Sequence, residues 1–272
     1  MEQSIDTYRV DQTQCGRYQS DGFIKLNGVF GASEIEGFER AVTAGVDALY
    51  DPATQKPPNS DTSAYEQAFN QVMNIWCSSE SVRALIFNPV LARIAAELMG
   101  VSGVRLYHDQ ALYKAPGGGF TPWHCDQYYW PLDSDNTITA WIPLQDTPLE
   151  MGALAFSAGS HLIDLGRDLP IGEGSQQIID QRLKALELEQ VANTFRAGDV
   201  SFHSGWTFHR AGGNTTGLSR RAMTIIYMAD GTRLKAPAND NQKADWEQWC
   251  PGARVGEAVA TPLNPLLYSK DL

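Results

Sequence analysis

The pattern of the chain changes at Gly100, and that change narrows the folds open to it more than any other feature. Beyond it, short β-rich runs at 104–113, 138–144, 153–156, 200–203 and 222–228 follow one another, separated by turn residues. Glycines at 117–119, 152, 159 and 198 punctuate the runs, and 181–190 reads as a helical insertion. With no internal repeat and no low-complexity tract, the economical architecture is a mainly β, antiparallel sandwich flanked by helices.

Ahead of Gly100 the period is helical. Ser33 and Glu36 form a capping box for a helix over 33–49, with Ile35, Phe38, Val42, Val46 and Leu49 on one face. A second helical stretch lies near 81–86. Asn88 and Pro89 then open a third helix, with Val90, Leu91, Ile94 and Leu98 turned inward and Gly100 as its stop. Between the first two, 51–62 is rich in Pro, Ser, Asn and Asp and reads as a surface loop. At 272 residues one domain is expected over 1–272. Its parts are a helix-rich elaboration (1–100), a β core (101–235) and a tail (236–272) packed near the active site.

The 21 Lys and Arg against 32 Asp and Glu leave a net charge of −11, which repels a phosphate backbone and argues against nucleic acid as a partner. No run approaches the roughly 18 apolar residues that span a bilayer, so no membrane partner is expected and a cytoplasmic location is. Cys15, Cys77, Cys125 and Cys250 are scattered without a CxxC pair, which suggests neither a zinc ribbon nor a disulfide framework.

Only five histidines exist, so their placement is informative. His124 and Asp126 stand two apart, and in an extended strand such residues share a face. An imidazole and a carboxylate would then converge, with a third ligand from far along the chain. His203 and His209, both in the aromatic-rich stretch 201–209, are the candidates. Two imidazoles and one carboxylate on one face of an octahedral ion leave three positions open, the arrangement of non-haem iron(II) oxygenases.

The surroundings extend the motif. Trp123-His124-Cys125-Asp126-Gln127 is followed by Thr139-Ala140-Trp141-Ile142-Pro143-Leu144, Gly152-Ala153-Leu154, Gly159-Ser160-His161 and Ala197-Gly198-Asp199. His209 then leads through Gly213-Asn214 to Arg220. In order and spacing these blocks resemble the phytanoyl-CoA dioxygenase family, over most of the chain from an opening strand at 18–24 to the tail around Trp249. The resemblance implies a double-stranded β-helix, or jelly roll, holding Fe(II) and the cosubstrate 2-oxoglutarate at one mouth and consuming O2, with ascorbate as a supporting reductant. It implies His124, Asp126 and His209 as catalytic metal ligands. It also implies Arg220, eleven positions beyond His209, as the anchor of the far carboxylate of 2-oxoglutarate.

Chemistry supports an arginine there, because a planar guanidinium grips a carboxylate with two parallel hydrogen bonds. Arg221 is the competitor, and neighbours in a strand face opposite ways. Trp141 matches a family tryptophan near the cosubstrate and reads equally well as a core indole. Gln110, Tyr113 and Thr121 are candidates to bond 2-oxoglutarate or line the pocket. Ala211 stands where many relatives carry Ser. His203 reads as a core position or a support behind the ligands, His161 as a bonded loop residue and His108 as core or pocket. The glycines at 117–119 lack a following Lys-Ser/Thr, so they form no phosphate loop and read as a mobile lip. Pocket walls are expected from 51–62, Tyr128, Tyr129, Trp130, Trp206, the 181–190 insertion and the tail.

The reaction implied is hydroxylation of an unactivated C–H bond in a small metabolite, with release of succinate and CO2. Asp126 fills the position that related halogenases leave to chloride. A monomer or homodimer is expected. A cupin-like metal protein with isomerase or hydrolase chemistry, which needs no carboxylate anchor at Arg220, is one alternative; a sensor of 2-oxoglutarate or a small metabolite, which would release no succinate, is the other.

Overall fold

The computed structural model describes residues 5–49 and 70–271, so the loop expected at 51–62 lies outside the described residues. In chain order the elements are α1 (Gln12–Asp21), β1 (Phe23–Leu26), α2 (Ala32–Leu49), β2 (Asn70–Met73), α3 (Glu80–Ile86), α4 (Pro89–Met99), β3 (Gly103–Lys114) and β4 (Thr121–His124). There follow β5 (Thr137–Pro143), β6 (Leu154–Ser157), α5 (Glu173–Ala185), β7 (Gln190–Ala192), β8 (Val200–Ser204), β9 (His209–Ala211), β10 (Arg220–Ala229), α6 (Asp240–Trp249) and β11 (Leu266–Ser269).

Every strand pairing is antiparallel. The larger sheet runs β1-β8-β5-β10-β3-β11, with β2 also on β3, and the smaller runs β4-β9-β6-β7. Two facing antiparallel sheets with helices outside are the jelly roll expected from the sequence.

Strand alternation sorts the side chains between two cores. On β10, Met223, Ile225 and Tyr227 face the helices, where they pack with Ile35, Leu91 and Ile94. The intervening Arg220, Thr224 and Ile226 face an internal cavity between the sheets. On β5 the same parity sends Ile138, Ala140 and Ile142 outward to the helices and Thr139 and Trp141 inward. One sheet thus carries an apolar core on one face and a functional cavity on the other.

The helical start and stop signals act as read at α4: Asn88 accepts from the Val90 and Leu91 amides, Pro89 opens the helix, and Gly100 closes it at φ 71°. Leu91, Ile94 and Leu98 are fully buried, each contributing about 1.5–3 kcal/mol of apolar burial. Three readings need correction. The expected opening strand at 18–24 is mostly α1, because Asp11 and Gln14 form a reciprocal cap that starts a helix; only β1 is extended. Helix α2 begins at Ala32, which puts Ser33 in its first turn, and the Glu34 carboxylate, not Glu36, accepts from the Gly31 amide. The insertion is α5, ending at Ala185 with a left-handed Glu187 before β7, so 181–190 is half helix and half turn. No helix among the described residues is long and apolar enough to cross a membrane.

Candidate active site

β4 and β9 pair antiparallel with His124 opposite His209, so a sheet register, not proximity in sequence, brings the two imidazoles together. Their ring centroids are 4.1 Å apart. Asp126 arrives differently from expectation. β4 ends at His124, and Asp126 opens a short 3-10 turn that runs to Tyr129. Cys125 between them is extended, at φ −124° and ψ 138°, so the alternation persists for one more residue and the carboxylate still turns to the same side.

One ligand atom from each of His124, Asp126 and His209 lies within 4.8 Å of the others. The Nε2 atoms of His124 and His209 stand 3.6 and 3.7 Å from Asp126 Oδ1. Donors bonded to one ion at roughly 2.1 Å stand between about 3 and 4.2 Å apart, so the spacing suits a shared ion. The donor chemistry fits as well. His124 Nδ1 sits 2.8 Å from the Pro122 carbonyl and His209 Nδ1 3.0 Å from that of Thr207, which places the ring protons on Nδ1 and leaves each Nε2 lone pair turned to the centre.

Burial lowers both imidazoles to a pKa of about 4, with His209 adding to the effect at His124. Both rings are therefore neutral, the form that ligates. Burial alone would raise the Asp126 carboxyl, but His209, then His203 and His124, hold it well below the usual carboxylate range. Cys125, at 1% exposure, stays a thiol because burial pushes it up to about 12.

His203, a candidate ligand from the sequence, lies in this cluster in another role. Its Nε2 contacts Asp126 Oδ2 at 3.3 Å, and Thr139 Oγ1 donates to the same oxygen at 3.2 Å. Oδ2 is thus held from behind while Oδ1 faces the His124 and His209 imidazoles. Thr139 carried no sequence signal of its own. Its pairing with His203 across β5 and β8, inward on an alternating strand, is what places it.

The cavity next to this cluster has a volume of about 230 Å³. Thr121, Trp141, Ala211 and Arg220 line one end. Arg220 is 1% exposed, its Nη1 donates to the Gly152 carbonyl at 3.4 Å, and its guanidinium lies 5.6 Å from the Trp141 ring. Arg221 points the other way, to Gln145 and to Glu39 on α2. Trp141 packs edge-on against Phe195 at 4.8 Å, so it is both wall and core. Lys114 was missed. Paired with Arg220 in the β3–β10 register, it is buried behind Thr121 with Nζ 2.7 Å from the Gly212 carbonyl, and burial with Arg220 lowers it to about 7.

Gln110 lines the cavity and accepts a hydrogen bond from Gln71 at 2.7 Å. Tyr113 does not line it. Three positions on, and so on the opposite face of β3, its hydroxyl shares a 2.8 Å hydrogen bond with Thr43 of α2, which removes it from the cosubstrate candidates. Tyr129, Trp130 and Ile171 line the other end with His108 and Asp245, while Tyr128 and Trp206 pack outside around Trp123. Helix α5 contributes no lining residue; the wall comes from Ile171 just before it. The glycine lip is tied down, with Gly117 donating to the Asn214 carbonyl and Asn214 donating to that of Gly118.

Fold and site together define a mononuclear non-haem metal oxygenase built on a jelly roll. The family model of phytanoyl-CoA dioxygenase matches residues 18–222, and the chain belongs to that family. It is thus a 2-oxoglutarate-dependent iron dioxygenase, with Fe(II), 2-oxoglutarate and O2 as the reactants that class requires. Among its relatives, a probable alpha-ketoglutarate-dependent hypophosphite dioxygenase of Stutzerimonas stutzeri is 25% identical over 224 residues, covering 78% of this chain and 76% of the relative. The ectoine dioxygenase of Sphingopyxis alaskensis is 26% identical over 282 residues, 92% of this chain and 85% of the relative. The crystal structure of the epimerase SnoN from nogalamycin biosynthesis, in complex with Fe3+, alpha ketoglutarate and nogalamycin RO, superposes with a TM-score of 0.76 at 26% identity, over 94% of this chain and 98% of that one.

Proposed function

We propose that the enzyme hydroxylates an unactivated C–H bond of a small metabolite, with His124, Asp126 and His209 as the iron ligands and Arg220 as the anchor of 2-oxoglutarate. One observation carries the reading: two neutral imidazole nitrogens and one carboxylate oxygen meet at one point of a cavity whose end is closed by a buried guanidinium. When bound, the iron supplies activation of O2 and of the keto-acid, and the balance is substrate C–H, O2 and 2-oxoglutarate to C–OH, succinate and CO2.

The chain's own residues do the positioning. His203 and Thr139 hold Asp126 Oδ2, so that Oδ1 is the oxygen Asp126 would offer to the metal. Arg220 and Trp141 set the depth at which a five-carbon diacid lies. Tyr129, Trp130 and Ile171 keep water from the substrate side and suit a compact, partly apolar molecule, since the volume is below the roughly 300–1,000 Å³ of most ligand sites. The walls carry no cluster of basic residues among those described, which does not suit a coenzyme A thioester.

The test is succinate formation with iron(II), 2-oxoglutarate and ascorbate, screened over small metabolites under 18O2. Substrate-dependent succinate with one labelled oxygen in the product is the expected result. Turnover without label would move the reaction to desaturation, cyclisation or epimerisation, and no succinate with any substrate would overturn the reading.

A further inference from the structure

Three charged side chains line the cavity among the described residues: Asp126, Arg220 and Asp245. Asp245 lies on α6, beyond residue 222 where the family match ends. Its carboxylate receives the Tyr107 hydroxyl and the Trp249 side chain and has no ion pair among the described residues.

The other charges find partners under the function proposed above, on which this inference rests. The ferrous ion, Asp126, doubly ionised 2-oxoglutarate and Arg220 together sum to neutrality. His108, packed beside Trp249, is kept neutral by burial, which lowers it to about 4. Lys114 sits at the Arg220 end behind Thr121. Asp245 is then the one acidic group lining the cavity with no cation against it among the described residues, and ionising a half-buried carboxyl so placed is costly. Burial accordingly raises it to about 7.

Its surroundings say what would balance it. Tyr107, Trp130 and Trp249 form one apolar cluster there, with Tyr129 and Trp246 packed against it. A carboxylate beside aromatic rings recognises an ammonium group through its charge, and Tyr129 and Trp130 are the rings that line the cavity with it. An anionic group would meet repulsion, and a neutral hydroxyl would leave the charge unbalanced.

We propose that Asp245 is a specificity-determining residue that anchors a protonated amine of the substrate, holding the molecule across the cavity so that its far end faces the His124, Asp126 and His209 cluster.

The test uses the protein loaded with iron(II) and 2-oxoglutarate under argon, and two isosteric probe pairs: cyclohexylammonium with cyclohexanol, and benzylammonium with benzyl alcohol. Calorimetry is expected to show each cation binding at least about tenfold more tightly than its neutral partner, the increment of a charge-assisted contact. In Asp245→Asn the preference should fall to within about threefold, with 2-oxoglutarate affinity retained as the sign that the variant is folded. Equal affinity for cation and alcohol in the wild type, absence of binding by both cations, or a preference that survives Asp245→Asn overturns the proposal. The wild-type comparison decides even if the variant does not fold. Failure of the function reading looks different, because 2-oxoglutarate itself would then not bind.

Discussion

Replacing Arg220 by Gln tests the cosubstrate end of the site, and Arg221→Gln is its internal control. Arg220 is 1% exposed at the end of the cavity, whereas Arg221, its neighbour on β10, is committed to Glu39 and Gln145 on the helix side. A guanidinium gripping a carboxylate makes two charge-assisted hydrogen bonds, each about 1.5–3 kcal/mol. In a site this buried the lost partner also leaves a carboxylate unpaired, so the expected cost is about 3–5 kcal/mol. That corresponds to a loss of roughly 10²- to 10⁴-fold in 2-oxoglutarate affinity. Lys114, one strand away, keeps some positive potential and argues for the lower part of that range. Anaerobic titration of 2-oxoglutarate into the iron(II)-loaded protein measures the loss directly. Arg221→Gln should change the same constant by less than about threefold, because surface ion pairs contribute little. Equal losses in both variants, or an Arg220→Gln affinity near that of the wild type, would refute the alternation argument that assigns the two arginines.

Three further outcomes follow from the same geometry. His203→Ala removes the contact that holds Asp126 Oδ2 and should weaken binding of iron(II), or of cobalt(II) as a surrogate, by about 10- to 100-fold in equilibrium dialysis; an unchanged constant would make His203 a packing residue only. Gly152→Ala places a Cβ 2.6 Å from the Gly212 carbonyl at a residue with φ 84°, so it should cost about 1–3 kcal/mol in denaturant unfolding and also weaken 2-oxoglutarate binding, since the Gly152 carbonyl receives Arg220. Asp109 is fully buried against the Ile75 amide, and burial raises its carboxyl to about 7. Native protein then binds a proton the unfolded chain has lost, so this residue's contribution to stability should fall as pH rises from about 4 to 7 and level off above. Asp109→Asn should flatten that slope by an amount of order a few kcal/mol, seen in urea unfolding across the range, and an unaltered slope would count against the burial argument.

What could be read from the sequence was whatever a local pattern encodes. Helix α4 is spelled out by Asn88, Pro89 and Gly100 within one stretch, and β3, β5, β8 and β10 by runs of β-branched and aromatic residues. The segments at β4 and β9 are only 4 and 3 residues long and carry no such run, yet their pairing brings His124 and His209 together. Only the order of motifs along the chain pointed to them. The inward or outward sense of a residue was legible once a strand was located, and the same alternation that separates Arg220 from Arg221 shows why Tyr113 is outside the cavity. Thr139, Lys114 and Asp245 stayed hidden because each acts through a partner distant in the chain: Asp126, Gly212 and Tyr107 respectively.

The two ends of the cavity differ in how the fold holds them, and the difference separates chemistry from specificity. Around the candidate metal ligands, support comes from adjacent strands: His203 and Thr139 face each other across β8 and β5, and His124 faces His209 across β4 and β9. Such contacts are fixed by hydrogen-bond register, and shifting one would turn every side chain of its strand to the wrong face. At the substrate end the wall is drawn from the 3-10 turn after Asp126, the segment before α5, and α6. Those segments lean on the sheets through side-chain packing and isolated hydrogen bonds such as Tyr107 Oη to Asp245, and on one another through the Ile171 amide to Tyr129 Oη and Gln242 to the Tyr128 carbonyl. They can change length and composition without disturbing strand register. A fold arranged this way can keep one reaction while exchanging the molecules on which it acts, so substrate preference should respond to substitutions in α6 that leave iron and 2-oxoglutarate binding unaltered.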